Sequence, residues 1–373
     1  MRSRTAWWCL LATLPGCFAW SCGATPAGET SQGPGELVQL PDMLARRFAH
    51  TATALPTGVV LLAGGGSPGA VLRSAELYQP AHGDSKQVSP LGTAREGHAA
   101  ALLADGRVLL VGGLGPDPAV ATSAELWNPV SESFSPAPTL LAPHGDGVAA
   151  IPLLDGRILV LGGDTSGVGR TPTAAAELFD PGSGTFTPTG AMHVPRLPFG
   201  VVRLRDGRVL VAGGTTTNKV VVASAELYDP ATGTFALTGQ LGTARRKHAG
   251  VLLADGRVLI VGGTTGGDDS NVLTSGEIFD PATGRFTSAA HLVRARYKFQ
   301  AVALLDGSVF ATGGADALAE VIDPVTGLSR VIAGAGSALR FFPAATLLAD
   351  GSVLVSGGYS GQGPQATVWR FRP

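Results

Sequence analysis

The sequence predicts an all-β protein, a closed ring of seven four-stranded blades, on three observations. A Gly-Gly pair closes an apolar run at Gly64, Gly112, Gly162, Gly213, Gly262, Gly313 and Gly357, which is a period of about fifty residues. Each period divides into four short strand-like segments separated by turn dipeptides. Glycine and proline, 53 and 26 of 373 residues, supply the turns, while 45% hydrophobic residues are enough to bury a core.

Taken in chain order, the first element is a targeting segment. Arg2 and Arg4 precede a short apolar stretch, Ala6 to Leu14, in the pattern of a signal peptide spanning residues 1–22. Pro15 and Gly16 interrupt that stretch before it is long enough to cross a bilayer. All three cysteines, Cys9, Cys17 and Cys22, lie here, so the remaining chain has no disulfide to form. A small residue followed by Cys resembles a bacterial lipoprotein signal, with Cys17 or Cys22 as the lipidated residue. The expectation is an exported protein of the bacterial cell envelope, lipid-anchored with the outer membrane preferred, or secreted. Residues 23–35, rich in Gly, Pro, Ser and Thr, read as a flexible linker.

Residues 36–373 carry the repeat. In the second unit, His98 to Ala104 is small and apolar, Asp105-Gly106 is a tight turn, and Arg107 to Val111 leads into Gly112-Gly113. After a variable loop, Ala124-Glu125-Leu126-Trp127 forms a third strand, Asn128-Pro129 turns the chain, and Phe134 starts a fourth. Four short antiparallel strands per unit make one propeller blade. Small residues fill the first strand of most units, as in Ala99-Ala100-Ala101 and Val148-Ala149-Ala150, and that places this strand beside the crowded axis. The last unit ends after its third strand. Glu36 to Pro41 has the character of the missing fourth, so the N-terminal strand is expected to complete the last blade and close the ring, removing exposed edges.

The recurring Arg-x-x-His, Asp-Gly-Arg-Val-Leu-x-x-Gly-Gly and Ala-Glu-Leu-Tyr-Asp-Pro-Ala-Thr-Gly-x-Phe resemble the kelch repeat in its bacterial form, over residues 36–373. The resemblance implies a kelch propeller. Phe134, Phe186, Phe235 and Phe286 stand where many kelch repeats have Trp, and the sixth unit departs furthest, with Ile322 in the aromatic place.

Alternating strand directions put the Asp-Gly and Asp-Pro turns on one face and the variable loops after Gly-Gly on the other. Variable loops on a rigid scaffold are where binding sites usually lie. Six arginines recur on that face at one repeat position, Arg47, Arg95, Arg196, Arg245, Arg296 and Arg340, and are candidates for holding carboxylates or phosphates. Glu76, Glu125, Glu177, Glu226, Glu277 and Glu320 recur with the same period, so structural pairing of Arg with Glu is the favoured reading. The third unit has Gly145 in the arginine place and the seventh has Thr367 in the glutamate place. Glu177 and Arg340 are therefore the candidates expected to lack partners. His50, His98 and His248 share their position with Phe199, Phe299, Val148 and Pro343, which favours space filling over metal binding. Asp268-Asp269-Ser270-Asn271 is oxygen-rich but lacks the spaced ligands of a calcium loop and reads as a solvated turn.

The formal net charge of -1 gives no electrostatic reason to bind nucleic acid. No nucleophile motif, phosphate loop or metal cluster with ligand spacing is present, and no cofactor is expected. Some kelch propellers are copper oxidases that need a Tyr crosslinked to a Cys. The absence of cysteine after Cys22 excludes that cofactor from the folded domain. The expected function is accordingly a non-catalytic, monomeric binding module, tethered to a membrane by its lipid, recognising a protein or glycan through the loop face. The alternative is a carbohydrate-active enzyme, similar to a sugar mutarotase, using an Arg and a carboxylate at the channel mouth.

Overall fold

The computed structural model describes residues 35–165, 171–314, 318–332 and 341–373. Seven four-stranded antiparallel sheets form the blades of a propeller. The second blade shows the rule. Its strands Ala99–Leu102, Val108–Val111, Ala124–Asn128 and Ser133–Pro136 pair in sequence order, joined by the Asp-Gly turn, the variable loop and the Asn-Pro turn. The innermost strands of neighbouring blades pack side by side around the axis. Small residues there let seven chains converge.

The ring closes as expected. Glu36–Leu40 pairs antiparallel with Val368–Arg372, Glu36 opposite Arg372 and Leu40 opposite Val368, and supplies the fourth strand of the seventh blade. That strand removes the edge which Val368–Arg372 would otherwise present to another chain.

The core lies between blades rather than inside each. Ala101, Leu109 and Val111 of the second blade share one buried cluster with Ala150, Ile158, Val160 and Phe179 of the third. Burial of second-strand side chains such as Val108 and Leu109, which are fully inaccessible, makes each blade a template for the next. On the outer side, third-strand aromatics pack on the phenylalanines that begin the fourth strands. Ring centroids are 5.0 Å apart for Phe179 and Phe186, and 4.9 Å for Tyr228 and Phe235. Phenylalanine therefore fills the place of the expected tryptophan without loss of the contact.

The Gly-Gly pairs latch blade to blade. Gly113 N–H donates to His144 O at 3.1 Å, and Gly263 N–H to Arg296 O at 2.7 Å, each acceptor lying ahead of the following blade. Gly112 has φ +60°, and a Cβ there would stand 1.8 Å from His144 O. No other residue fits, because the backbone takes a left-handed conformation against a neighbouring carbonyl.

Candidate functional site

The segment leading into each blade carries the repeated arginine, and its surroundings explain the period. Arg95 donates to Gly112 O at 2.8 Å and to Glu125 Oε1 at 2.9 Å. Glu125 in turn accepts the backbone N–H groups of Gly92 at 2.6 Å and Thr93 at 3.0 Å. The same arrangement ties Arg47 to Glu76, Arg196 to Glu226, Arg245 to Glu277 and Arg296 to Glu320, with N···O distances from 2.6 to 2.8 Å. All five arginines are fully buried. These side chains staple the lead-in segment to its blade and offer no free guanidinium to a ligand. Arg340 lies outside the described residues.

Glu177 is not left without a partner. His144, one residue before the Gly145 that aligned with the arginines, places Nε2 3.1 Å from Glu177 Oε1 and Nδ1 2.7 Å from Gly162 O. The imidazole thus reproduces both contacts of an arginine. Glu177 also accepts from Leu141 N–H at 2.9 Å and Ala142 N–H at 3.3 Å.

The three repeat histidines are buried between blades. His50 Nε2 pairs with Ser356 Oγ at 2.9 Å and His98 Nε2 with Thr51 Oγ1 at 3.0 Å, while His248 packs edge-on against Phe199. Burial, reinforced by nearby arginines, holds their basicity far down, to about 3 for His248. They are neutral, and each faces a different blade.

The chemistry gathers instead one and two residues beyond the arginines, where the repeat breaks down. Backbone hydrogen bonds run around the axis from Gly147 N–H to Gly97 O at 3.2 Å, Gly97 to Ala49 at 2.9 Å and Ala49 to Phe342 at 3.1 Å. They continue from Phe342 N–H to Lys298 O at 2.9 Å and from Lys298 to Lys247 at 3.0 Å. Pro198 takes the corresponding place in the fourth blade and has no N–H to extend the circuit. The members are held in left-handed conformations, with φ of 48° at Ala49, 54° at Lys247 and 55° at Lys298 and Phe342.

This rim is divided by charge. One arc is acidic. A Cβ on Gly66 would meet Glu96 Oε2 at 2.1 Å and the Phe48 ring at 2.4 Å, and a Cβ on Gly97 would meet Asp146 Oδ1 at 2.1 Å. The glycines make room for both carboxyl groups. Burial, and then the charge of Asp146, raises Glu96 above the ordinary carboxylate range.

The facing arc is basic. Asp269 Oδ1 lies 2.7 Å from Arg246 and 2.5 Å from Lys247, and its Oδ2 lies 2.7 Å from Lys247 and 2.9 Å from Lys298. Three cations meet one carboxylate. Burial, together with the charges of Lys298 and Arg246, lowers Lys247 to about 8 despite Asp269. Burial pushes Asp269 up, but its bonds to Lys247 and Lys298 outweigh that and hold it below the ordinary range. Asp269 is therefore an ion-pair partner of the rim, whereas Asp268, Ser270 and Asn271 are exposed, as expected of a solvated turn. Three aromatic rings complete the arc, with Lys298 Nζ 5.1 Å from the centroid of Tyr297, 5.5 Å from Phe341 and 5.2 Å from Phe342.

Sequence reasoning missed Glu96, Asp146, Arg246, Lys247, Tyr297 and Lys298. Their signal was present as departure from the repeat. The two positions after the arginine read Phe-Ala, Glu-Gly, Leu-Pro, Arg-Lys, Tyr-Lys and Phe-Phe, while the arginine before them and the Gly-Gly pair after them recur.

Comparisons with known proteins agree with the architecture. The Kelch motif family matches residues 245–292, and with the seven-blade ring this supports a kelch-repeat propeller. No curated protein is similar in sequence. Among solved structures, the chain is similar to a novel fungal alcohol oxidase with catalytic diversity among the AA5 family, in complex with copper. The likeness has 20% identity and a TM-score of 0.71, and covers 91% of this chain and 76% of that one. At that identity the likeness shows the fold. It nonetheless corrects the reading of this propeller as a non-catalytic binding module, because the architecture on which that reading rested also carries an oxidase.

The donor set for copper does not fit. No cysteine follows Cys22, and among the described residues no three His, Cys, Asp or Glu side chains converge as metal ligands. His50, His98 and His248 are each turned into a separate blade junction.

Proposed function

We propose that the protein is an enzyme that catalyses proton transfer on a small polar substrate at the loop-face mouth of its channel. The observation that carries this reading is the placing of Glu96, next to circuit member Gly97, and of Lys247, itself a circuit member, on facing arcs of the rim with opposite charges. Both groups are shifted toward neutrality. A carboxyl raised by burial and an ammonium lowered by burial are the environment-tuned pair that acid-base chemistry near neutral pH requires.

In this reading Glu96, as carboxylate, takes a proton from the substrate, and Lys247, as ammonium, delivers one to an oxygen of the same substrate. Exchange with solvent restores both. Asp146 positions Glu96 electrostatically, and the rings of Tyr297, Phe341 and Phe342 supply an apolar wall beside the reacting groups. In the same reading the enzyme is exported, and anchored through Cys17 or Cys22, on the strength of the basic and apolar N-terminal pattern.

The test is proton NMR in deuterated water with a panel of small hydroxy and oxo compounds. Turnover or solvent exchange that falls at least about a hundredfold in both Glu96→Gln and Lys247→Met, a loss of the size expected for a general acid or base, supports the reading. Activity that survives either change, or none across the panel, contradicts it.

A further inference from the structure

We propose that Arg246, Lys247 and Lys298 form the binding site for a substrate carboxylate, and that Asp269 fills this site as a tethered stand-in. The inference rests on the acid-base reading above and names the substrate class of the same site. Three observations carry it.

The first is stoichiometry. One carboxylate faces three cations that come from two blades, Arg246 and Lys247 on the lead-in segment of the fifth and Lys298 on that of the sixth. Arg246 and Lys247 are nearly inaccessible. Packing like charges in a partly buried place is unfavourable unless an anion compensates them. Asp269 compensates one.

The second is geometry. Both oxygens are engaged, Oδ1 by Arg246 and Lys247 and Oδ2 by Lys247 and Lys298. The donors thus surround a planar, two-oxygen anion, the shape of a carboxylate.

The third is the loop that delivers it. Asp269 has φ 70° and Asn271 φ 55°, both left-handed, and the turn is closed by Gly266 N–H donating to Ser270 O at 3.1 Å. Non-glycine residues held there store backbone strain. Gly266 and Gly267 lie in the same loop, and their carbonyls accept from Arg246, at 3.0 Å for Gly266. A substrate carboxylate of equal charge can replace Asp269, leaving the aromatic rings around Lys298 to receive the carbon chain.

The experiment is calorimetric titration of the full chain with succinate and with inorganic phosphate, for the wild type and Asp269→Asn. The expected result is succinate affinity at least tenfold higher in Asp269→Asn, a gain that disappears in Asp269→Asn combined with Lys298→Met. Unchanged or weaker succinate binding in Asp269→Asn overturns the proposal, and so does a preference for phosphate over succinate. Should the substitution unfold the chain, hydrogen exchange of residues 264–273 in the wild type decides instead. Faster exchange with saturating succinate shows displacement of the loop, and unchanged exchange overturns it. Failure here is separable from failure of the acid-base reading, because loss of turnover in Glu96→Gln does not depend on where an anion binds.

Discussion

His144 takes the place of an arginine opposite Glu177, with Nε2 3.1 Å from Oε1 and Nδ1 on the same glycine carbonyl that a guanidinium reaches in five other blades. The substitution shows what the repeat demands. A donor pair must bridge the first Gly-Gly carbonyl to the third-strand glutamate, and the glutamate must hold the chain that precedes the donor. Residue type yields to that geometry.

If these staples hold the blades, removing the acceptor leaves a buried cation. In Glu226→Ala, Arg196 loses its carboxylate and the N–H groups of His193 and Val194 lose their acceptor. Denaturant unfolding should report a loss of roughly 3–5 kcal/mol, the range for breaking a buried ion pair. Glu132→Ala removes only the exposed pair with Lys86 and should cost less than about 1 kcal/mol. Equal losses would mean that the staples are not the structural element.

The buried histidines predict an acid limit. His248 is lowered to about 3 in the fold, whereas the unfolded chain binds its proton near 6.5. The unfolded state therefore takes up protons first, so the histidine contribution to stability is flat above pH 6.5 and falls as pH drops toward 3. His50 and His98 are lowered in the same direction. Each contributes at most about 1.4 kcal/mol per pH unit. Replacing His248 with phenylalanine, the residue at this place in two other blades, should make stability less steep between pH 6.5 and 4 in urea titrations. An unchanged slope would contradict the assignment.

The latches predict intolerance at the first glycine of each pair. Gly112→Ala places a methyl group against His144 O and forces a left-handed alanine. Its cost should be at least about 2 kcal/mol, from strain and the lost inter-blade hydrogen bond. Gly58→Ala is strained in the same sense, φ 85°, but meets no atom within 4 Å. Thermal unfolding should separate the two, with Gly112→Ala the less stable.

Ring closure predicts that a chain beginning at Pro41 associates. Without Glu36–Leu40, the strand Val368–Arg372 has a free edge with Phe371 and Val368 beside it. Sedimentation velocity should show oligomers that a chain beginning at Gly35 lacks. Two monomeric species of equal stability would show that closure is dispensable.

The fold was legible because its determinants repeat. Gly112 and its counterparts, the Asp-Gly turns and the Glu125 series each answer the same steric need seven or nearly seven times, and period reveals need. The site was hidden for the same reason. The arginines that attracted attention recur because they are structural, whereas Glu96 occurs once and the lysine of Lys247 and Lys298 only twice, at positions that vary from blade to blade. Their meeting depends on a circuit of backbone hydrogen bonds between segments about fifty residues apart, which local pattern does not encode. Glu177 was misjudged through a one-residue offset, because His144 reaches the arginine's partners from the preceding position.

The measurement that tests the central claim most directly is the pH profile of kcat/KM on a substrate found in the NMR panel. The account predicts a bell. The rate falls on the alkaline side as Lys247 loses its proton near pH 8, and on the acid side as Glu96 gains one above the ordinary carboxylate range. Lys247→Arg, whose guanidinium keeps its proton, should lose the rate and with it the alkaline limb near pH 8, whereas Glu96→Asp should move only the acid limb. A profile whose two limbs are unmoved by Lys247→Arg and by Glu96→Asp would contradict catalysis at this rim.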